Sequence, residues 1–193
     1  MLELETPVGQ ARARLEEAES PRGALVLGHG AGGGIDSPDL AGAASAARET
    51  GFTVALVEQP YRVAGRRSPA PAAKLDAAWV SVVSQLPLEG LPLFVGGRSA
   101  GARVACRTAA EVGAAAVLCL AFPLHPPGKP EKSRLAELDA VELPTLVVQG
   151  ERDPFGLPPP GRNRTVVTVA GTHSLRSSST VAAVVREWLE THA

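Results

Sequence analysis

Short β-branched runs bounded by Gly and Pro alternate along this chain with longer Ala-rich segments of helical period. That alternation is the pattern of βα units around a parallel sheet. The runs that read as strands are 24–27 (ALVL), 53–58 (TVALVE), 91–96 (LPLFVG), 115–122 (AAVLCLAF), 145–150 (TLVVQG) and 165–170 (TVVTVA). Most are apolar throughout, as strands covered on both faces are. The expected class is therefore α/β: a mostly parallel, doubly wound sheet with helices on both faces. The more polar start, LELETPVGQARARLEEA, fits an edge hairpin turned by Pro7, Val8 and Gly9.

Helix signals fall between these runs. Ser37-Pro38 has the N-cap-then-Pro arrangement, and Gly51 closes the segment it opens. Residues 72–86 put Leu75, Trp79, Val82, Val83 and Leu86 on one face, and the C-terminal segment does so with Val181, Val184, Val185, Trp188 and Leu189. Both should lie on the sheet. Proline-rich loops at 123–130 and 154–161 are short enough to rim a site rather than link domains, so one domain over residues 1–193 is expected.

The stretch ALVLGHGAGGGIDSP admits two readings. From Gly28 its glycines fit G-x-G-x-x-G, a dinucleotide-binding fingerprint, with Glu58 near the end of the next run as a ribose-binding acid. They also fit a glycine loop that turns backbone N–H groups toward an oxyanion. A dinucleotide loop needs its helix to begin inside the fingerprint, where free N–H groups meet the pyrophosphate. Here Gly32, Gly33 and Gly34 oppose a helix and the cap signal waits until Ser37, leaving about nine loop residues. The oxyanion reading is favoured.

Further on, Gly97-Arg98-Ser99-Ala100-Gly101 is G-x-S-x-G between an apolar strand and an Ala/Arg helix, the context of a nucleophile elbow. The serine would occupy a strained turn, with glycine two positions either side because a side chain there would strike neighbouring backbone. The helix that follows would aim its positive end at the site, and the Ala100 N–H could donate to an oxyanion. A serine hydroxyl needs a base, and the base an acid to hold its tautomer. Asp153 after TLVVQG and His173 after TVVTVA follow in the order Ser, acid, His, each just past a strand. Glu151 is the alternative acid.

Other candidates carry less chemistry. His29, inside the glycine loop, is expected to hydrogen-bond backbone and shape the loop, and could also line a pocket. His125 and Tyr61 could border a pocket or simply pack, and His192 at the chain end should fray. Arg98 and Arg103 flank the elbow and read as solvated charges, or as an anion site for a substrate carboxylate. Cys106 and Cys119 read as core thiols, too few for a disulfide framework or a metal site.

Composition closes off other classes. With 45% apolar and 20% charged residues the chain is an ordinary globular one, and a net charge of -1 gives nucleic acid or an anionic membrane no electrostatic handle. The run from Val112 to Leu124, broken by Gly113, is too short to span a bilayer. The start MLELETPVGQ has no secretory signal, so a cytoplasmic protein is expected.

With HGAGGG, GGRSAG, ERDPFG and GTHSL in this order, the chain resembles the α/β-hydrolase superfamily, and in particular its small dienelactone-hydrolase-like members. HGAGGGIDSP, GGRSAGAR, FPLHPPGKPEK and VQGERDPFG are most similar to a compact subgroup that includes the hydrolase-like domain of a subunit of an animal chromatin complex, the non-specific-lethal complex. The resemblance implies a triad of Ser99, Asp153 and His173, with backbone donors near Ala31 and from Ala100 forming the oxyanion hole. It implies ester or thioester hydrolysis of a small-molecule substrate without cofactor or metal. Where many relatives carry Asp before the triad histidine, this chain has Thr172. The connection from Phe122 to Thr145 is too short for a lipase-type lid domain, which implies an open, shallow pocket. Part of the subgroup serves as scaffold, so the alternative is a catalytically silent binding module on the same fold.

Overall fold

A computed structural model describes residues 1–192. Eight strands form one sheet: β1 (Leu2–Thr6), β2 (Gly9–Glu16), β3 (Gly23–Gly28), β4 (Phe52–Glu58), β5 (Leu93–Arg98), β6 (Ala116–Leu120), β7 (Thr145–Gly150) and β8 (Arg164–Val169). Their spatial order is β1-β2-β4-β3-β5-β6-β7-β8. The N-terminal hairpin is antiparallel and joins β4 antiparallel, and every pairing from β4 to β8 is parallel. The six apolar runs are thus the six parallel strands, and the polar hairpin lies at one edge, where unpaired backbone meets water.

Six helices cover the sheet: α1 (Pro38–Glu49), α2 (Pro60–Val63), α3 (Ala72–Gln85), α4 (Ala100–Thr108), α5 (Leu135–Asp139) and α6 (Ser178–His192). Strand alternation divides the core in two. Leu25, Leu27, Val54, Leu56, Phe94, Leu118, Leu146 and Val148 face α1 and α6, whose Leu40, Val181, Val185 and Leu189 are buried against them. Val26, Val57, Val95, Val117 and Val147 face α3 and α4, where Trp79 is fully buried.

Several local expectations are corrected. Ser37 starts α1 by position, but its hydroxyl makes no cap bond; its backbone carbonyl accepts from the Ala41 N–H instead. The run expected to continue as strand to 122 ends at Leu120, because Ala121 turns to φ 50° and donates its N–H to Val148 O. His192 is not frayed: Nδ1 lies 2.8 Å from Trp188 O and the ring stands 5.1 Å from the indole. Cys106 and Cys119 are indeed buried, with sulfurs 3.5 Å apart. Among the described residues no helix is long and apolar enough to cross a membrane.

All parallel strands end on the same edge of the sheet, and the loops there gather the candidate residues. The glycine loop fills the nine residues between Gly28 and Pro38, and a loop from 170 to 177 follows β8. The Phe122 to Thr145 connection holds only the five-residue α5, fixed to α4 by a two-pronged Arg103–Glu137 ion pair.

Candidate active site

Ser99 stands between β5 and α4 with φ 51° and ψ -106°, a conformation L-residues rarely adopt. Its N–H is held by Leu120 O at 2.9 Å. The flanking glycines permit the turn. A Cβ on Gly97 or Gly101 would overlap the Gly28 carbonyl oxygen, and one on Gly101 would also stand 2.9 Å from His29 O. The collision inferred from the sequence is thus with the strand that leads into the glycine loop, so elbow and loop are packed backbone to backbone.

His173 reaches the serine from the loop after β8. Its Nε2 is 2.9 Å from Ser99 Oγ and its Nδ1 is 2.8 Å from Asp153 Oδ2. The His173 side chain is 17% exposed and that of Asp153 fully buried. With Nδ1–H donated to the carboxylate, Nε2 is left as the acceptor facing the serine hydroxyl, the tautomer that can take its proton. The His173 loop is anchored by buried Leu175 and crosses directly over Gly150, where a Cβ would overlap Thr172 O.

Asp153 is held by three donors. Oδ1 accepts the Phe155 N–H at 2.8 Å, while Oδ2 accepts Gln149 Nε2–H at 2.8 Å besides His173. These three donors fix the carboxyl in place beneath the imidazole. Gln149 is fully buried and also reaches Phe122 O and Gly156 O, fastening the acid turn to the loop after β6. Phe155 lays its ring 4.2 Å from that of His173. Glu151, the alternative acid, is turned outward, with a side chain 55% exposed beside Arg152.

The two backbone N–H groups expected to form the oxyanion hole have no partner among the described residues. Ala100 is the first residue of α4, so its N–H has no intrahelical acceptor. The N–H of Ala31, in the glycine loop, bonds to no other described residue. The loop around Ala31 is braced from below. Tyr61 Oη donates to Ala31 O at 2.8 Å. His29 is buried, with Nδ1 2.8 Å from Gly30 O and Nε2 accepting the Gln59 N–H at 3.1 Å. Burial lowers the His29 pKa below its ordinary 6.5, outweighing the Gly30 carbonyl and the charge of Glu58, which act to raise it. This imidazole is therefore a neutral strut.

The remaining candidates fall into place or out of it. His29 and Tyr61, expected as possible pocket lining, have their polar atoms committed to backbone: His29 to Gly30 O and the Gln59 N–H, Tyr61 to Ala31 O. Arg98 is neither solvated nor open to a substrate anion: its Nε is 2.8 Å from buried Asp39 Oδ2, an ionic contact without good hydrogen-bond alignment, and Nη2 donates to His173 O at 3.2 Å. Arg103 is likewise taken by Glu137. His125 borders the acid turn rather than the serine; its N–H bonds Phe155 O, and its ring packs on Gly156. Gln149, Phe155 and Asp39 escaped the sequence reading. Only Gln149 left a signal, as the one amide following the apolar run Leu146–Val148 of a buried strand.

A parallel sheet with a serine on a positive-φ elbow, then a carboxylate and a histidine from later strand ends, defines a protein of the α/β-hydrolase class. The chain belongs to the alpha/beta hydrolase domain family, whose model matches residues 21–180. Solved structures share its architecture. A lidless α/β serine hydrolase, XC6422 of Xanthomonas campestris, is 21% identical, with a TM-score of 0.77 over 98% of this chain and 93% of that one. Est1E of Butyrivibrio proteoclasticus, solved with ferulic acid, is 15% identical, with a TM-score of 0.79 over 100% and 99%. A dienelactone hydrolase of Anabaena variabilis is 18% identical, with a TM-score of 0.75 over 99% and 96%.

Proposed function

We propose that this chain is a single-domain serine hydrolase that cleaves carboxylic esters or thioesters of small or exposed acyl groups. The observation that carries the reading is the position of His173, within hydrogen-bond distance of Ser99 Oγ on one side and Asp153 Oδ2 on the other. Ser99 Oγ attacks the substrate carbonyl carbon while its proton passes to His173 Nε2. The carbonyl oxygen becomes an oxyanion facing the Ala31 and Ala100 N–H groups at the positive end of α4. Asp153 keeps Nδ1–H in place and stabilises the imidazolium.

Collapse of the tetrahedral adduct breaks the bond to the alkoxide or thiolate, which leaves with the proton from Nε2 as alcohol or thiol. Water then attacks the acyl-enzyme, giving one proton to Nε2 that returns to Ser99 Oγ as the acid departs. Atoms and charges balance without a cofactor. The short connection after β6, with its single pinned helix, supports a substrate that needs no enclosed tunnel. The ferulic acid bound by Est1E and the dienelactone in the Anabaena enzyme's name make esters of ferulic acid and dienelactones the first compounds to screen.

The test is labelling by a fluorophosphonate, read by intact mass, on the natural protein, Ser99→Ala and His173→Ala. One adduct on the natural protein that both substitutions abolish is expected. No adduct on a folded natural protein overturns the reading and leaves a silent binding module.

A further inference from the structure

Arg98 is the residue before the candidate nucleophile, and its side chain runs sideways under the site rather than out of it. Three segments meet its guanidinium. Nε is 2.8 Å from Asp39 Oδ2 in the first turn of α1, and Asp39 is 1% exposed. Nη2 donates to the backbone carbonyl of His173 at 3.2 Å. Nη1 lies against Gly30 of the glycine loop, where a Cβ would come within 2.6 Å of it. The guanidinium thus touches the loop that carries the base, the loop that carries an oxyanion donor, and the helix that follows that loop.

Resting on the hydrolase reading above, we infer that the Arg98–Asp39 pair is a positioning brace that sets the height of the His173 ring and of the glycine loop over Ser99. The chemistry favours this over a merely packed ion pair. A guanidinium is a planar fork whose donors diverge at fixed angles, so the ionic contact of Nε with Asp39 and the Nη2 bond to His173 O together fix its plane and where Nη1 points. Asp39 cannot swing away, since it is buried and its Oδ1 accepts the Leu40 N–H at 3.0 Å. The His173 carbonyl belongs to the same residue as the imidazole, so the bond from Nη2 fixes the backbone from which that ring extends. Gly30 has no side chain to push the fork away. A lysine at 98 would keep a positive charge for Asp39 but could not reach His173 O and Gly30 from one rigid plane.

The test compares Arg98→Lys, Asp39→Asn and their combination with the natural protein. Three quantities are read: the second-order rate of fluorophosphonate labelling, the thermal midpoint, and solvent exchange of the His173 Nδ1 proton by NMR. The brace predicts that Arg98→Lys labels about 10- to 100-fold more slowly, the scale of a 1 Å misplacement of a reacting group. It also predicts that the Nδ1 proton exchanges at least tenfold faster although the protein stays folded. The double variant should lose little more than the worse single one, because both substitutions break the same unit. Natural labelling and exchange rates in folded Arg98→Lys overturn the brace, as do multiplicative losses in the double variant. If the natural protein does not label at all, the hydrolase reading fails by itself. The brace is then decided by proton exchange: faster in Arg98→Lys supports it, and unchanged refutes it.

Discussion

Ser99 is held at φ 51° and ψ -106° by its bond to Leu120 O and by the packing of Gly97 and Gly101 on Gly28. A residue with a Cβ in such a conformation carries strain on the order of 1–3 kcal/mol. Ser99→Ala and Ser99→Gly both remove Oγ and its contact with His173, but only glycine releases the strain. Glycine also widens the unfolded ensemble, at a cost of about 0.4–1 kcal/mol relative to alanine. Taking about 2 kcal/mol of strain and about 1 kcal/mol of entropy, Ser99→Gly should be the more stable by about 1 kcal/mol. For a chain of this length that is about 2–4 °C in melting temperature. Scanning calorimetry of the two variants under one reversible condition measures the difference. A Ser99→Gly midpoint at or below that of Ser99→Ala would refute the claim that the elbow stores strain.

Two further outcomes follow from the bracing of the glycine loop. Tyr61→Phe deletes the donor to Ala31 O and leaves that carbonyl without its partner, which should cost about 1 kcal/mol or more. It should also slow fluorophosphonate labelling severalfold; labelling at the natural rate would show that the loop keeps its shape unaided. His29 has a folded pKa depressed below 6.5 by burial, so below that pH the unfolded chain binds a proton that the native state refuses. Its contribution is complete above 6.5 and is lost as pH falls through the window beneath, by at most about 1.4 kcal/mol per pH unit. Urea midpoints at pH 7.5 and 5.5 should therefore converge in His29→Gln relative to the natural protein. An equal pH slope in both proteins counts against a neutral buried His29.

The sequence by itself determined the strand-rich α/β architecture, because the periodicity that buries a strand on two faces is a local property. All six apolar runs became parallel strands within two residues of their expected ends, and the polar hairpin took the edge. Local chemistry also marked Ser99 through its glycines, and Asp153 and His173 through their places after strands. What local chemistry could not carry was the partner of any side chain across the fold. Arg98 looked like a solvated charge because nothing near it in sequence is acidic, yet Asp39, 59 positions earlier, is brought under it by the packing of α1 on the sheet. Gln149 gave a polar signal without a direction; the Asp153 it donates to is only four residues away, but the fold alone brings Phe122 O from the loop after β6 to the same amide. Hydrophobic period fixes which elements form, since it acts over a few residues. Tertiary structure alone decided which charges and amides meet, since hydrogen bonds and ion pairs act over a few ångströms between segments that the chain leaves far apart.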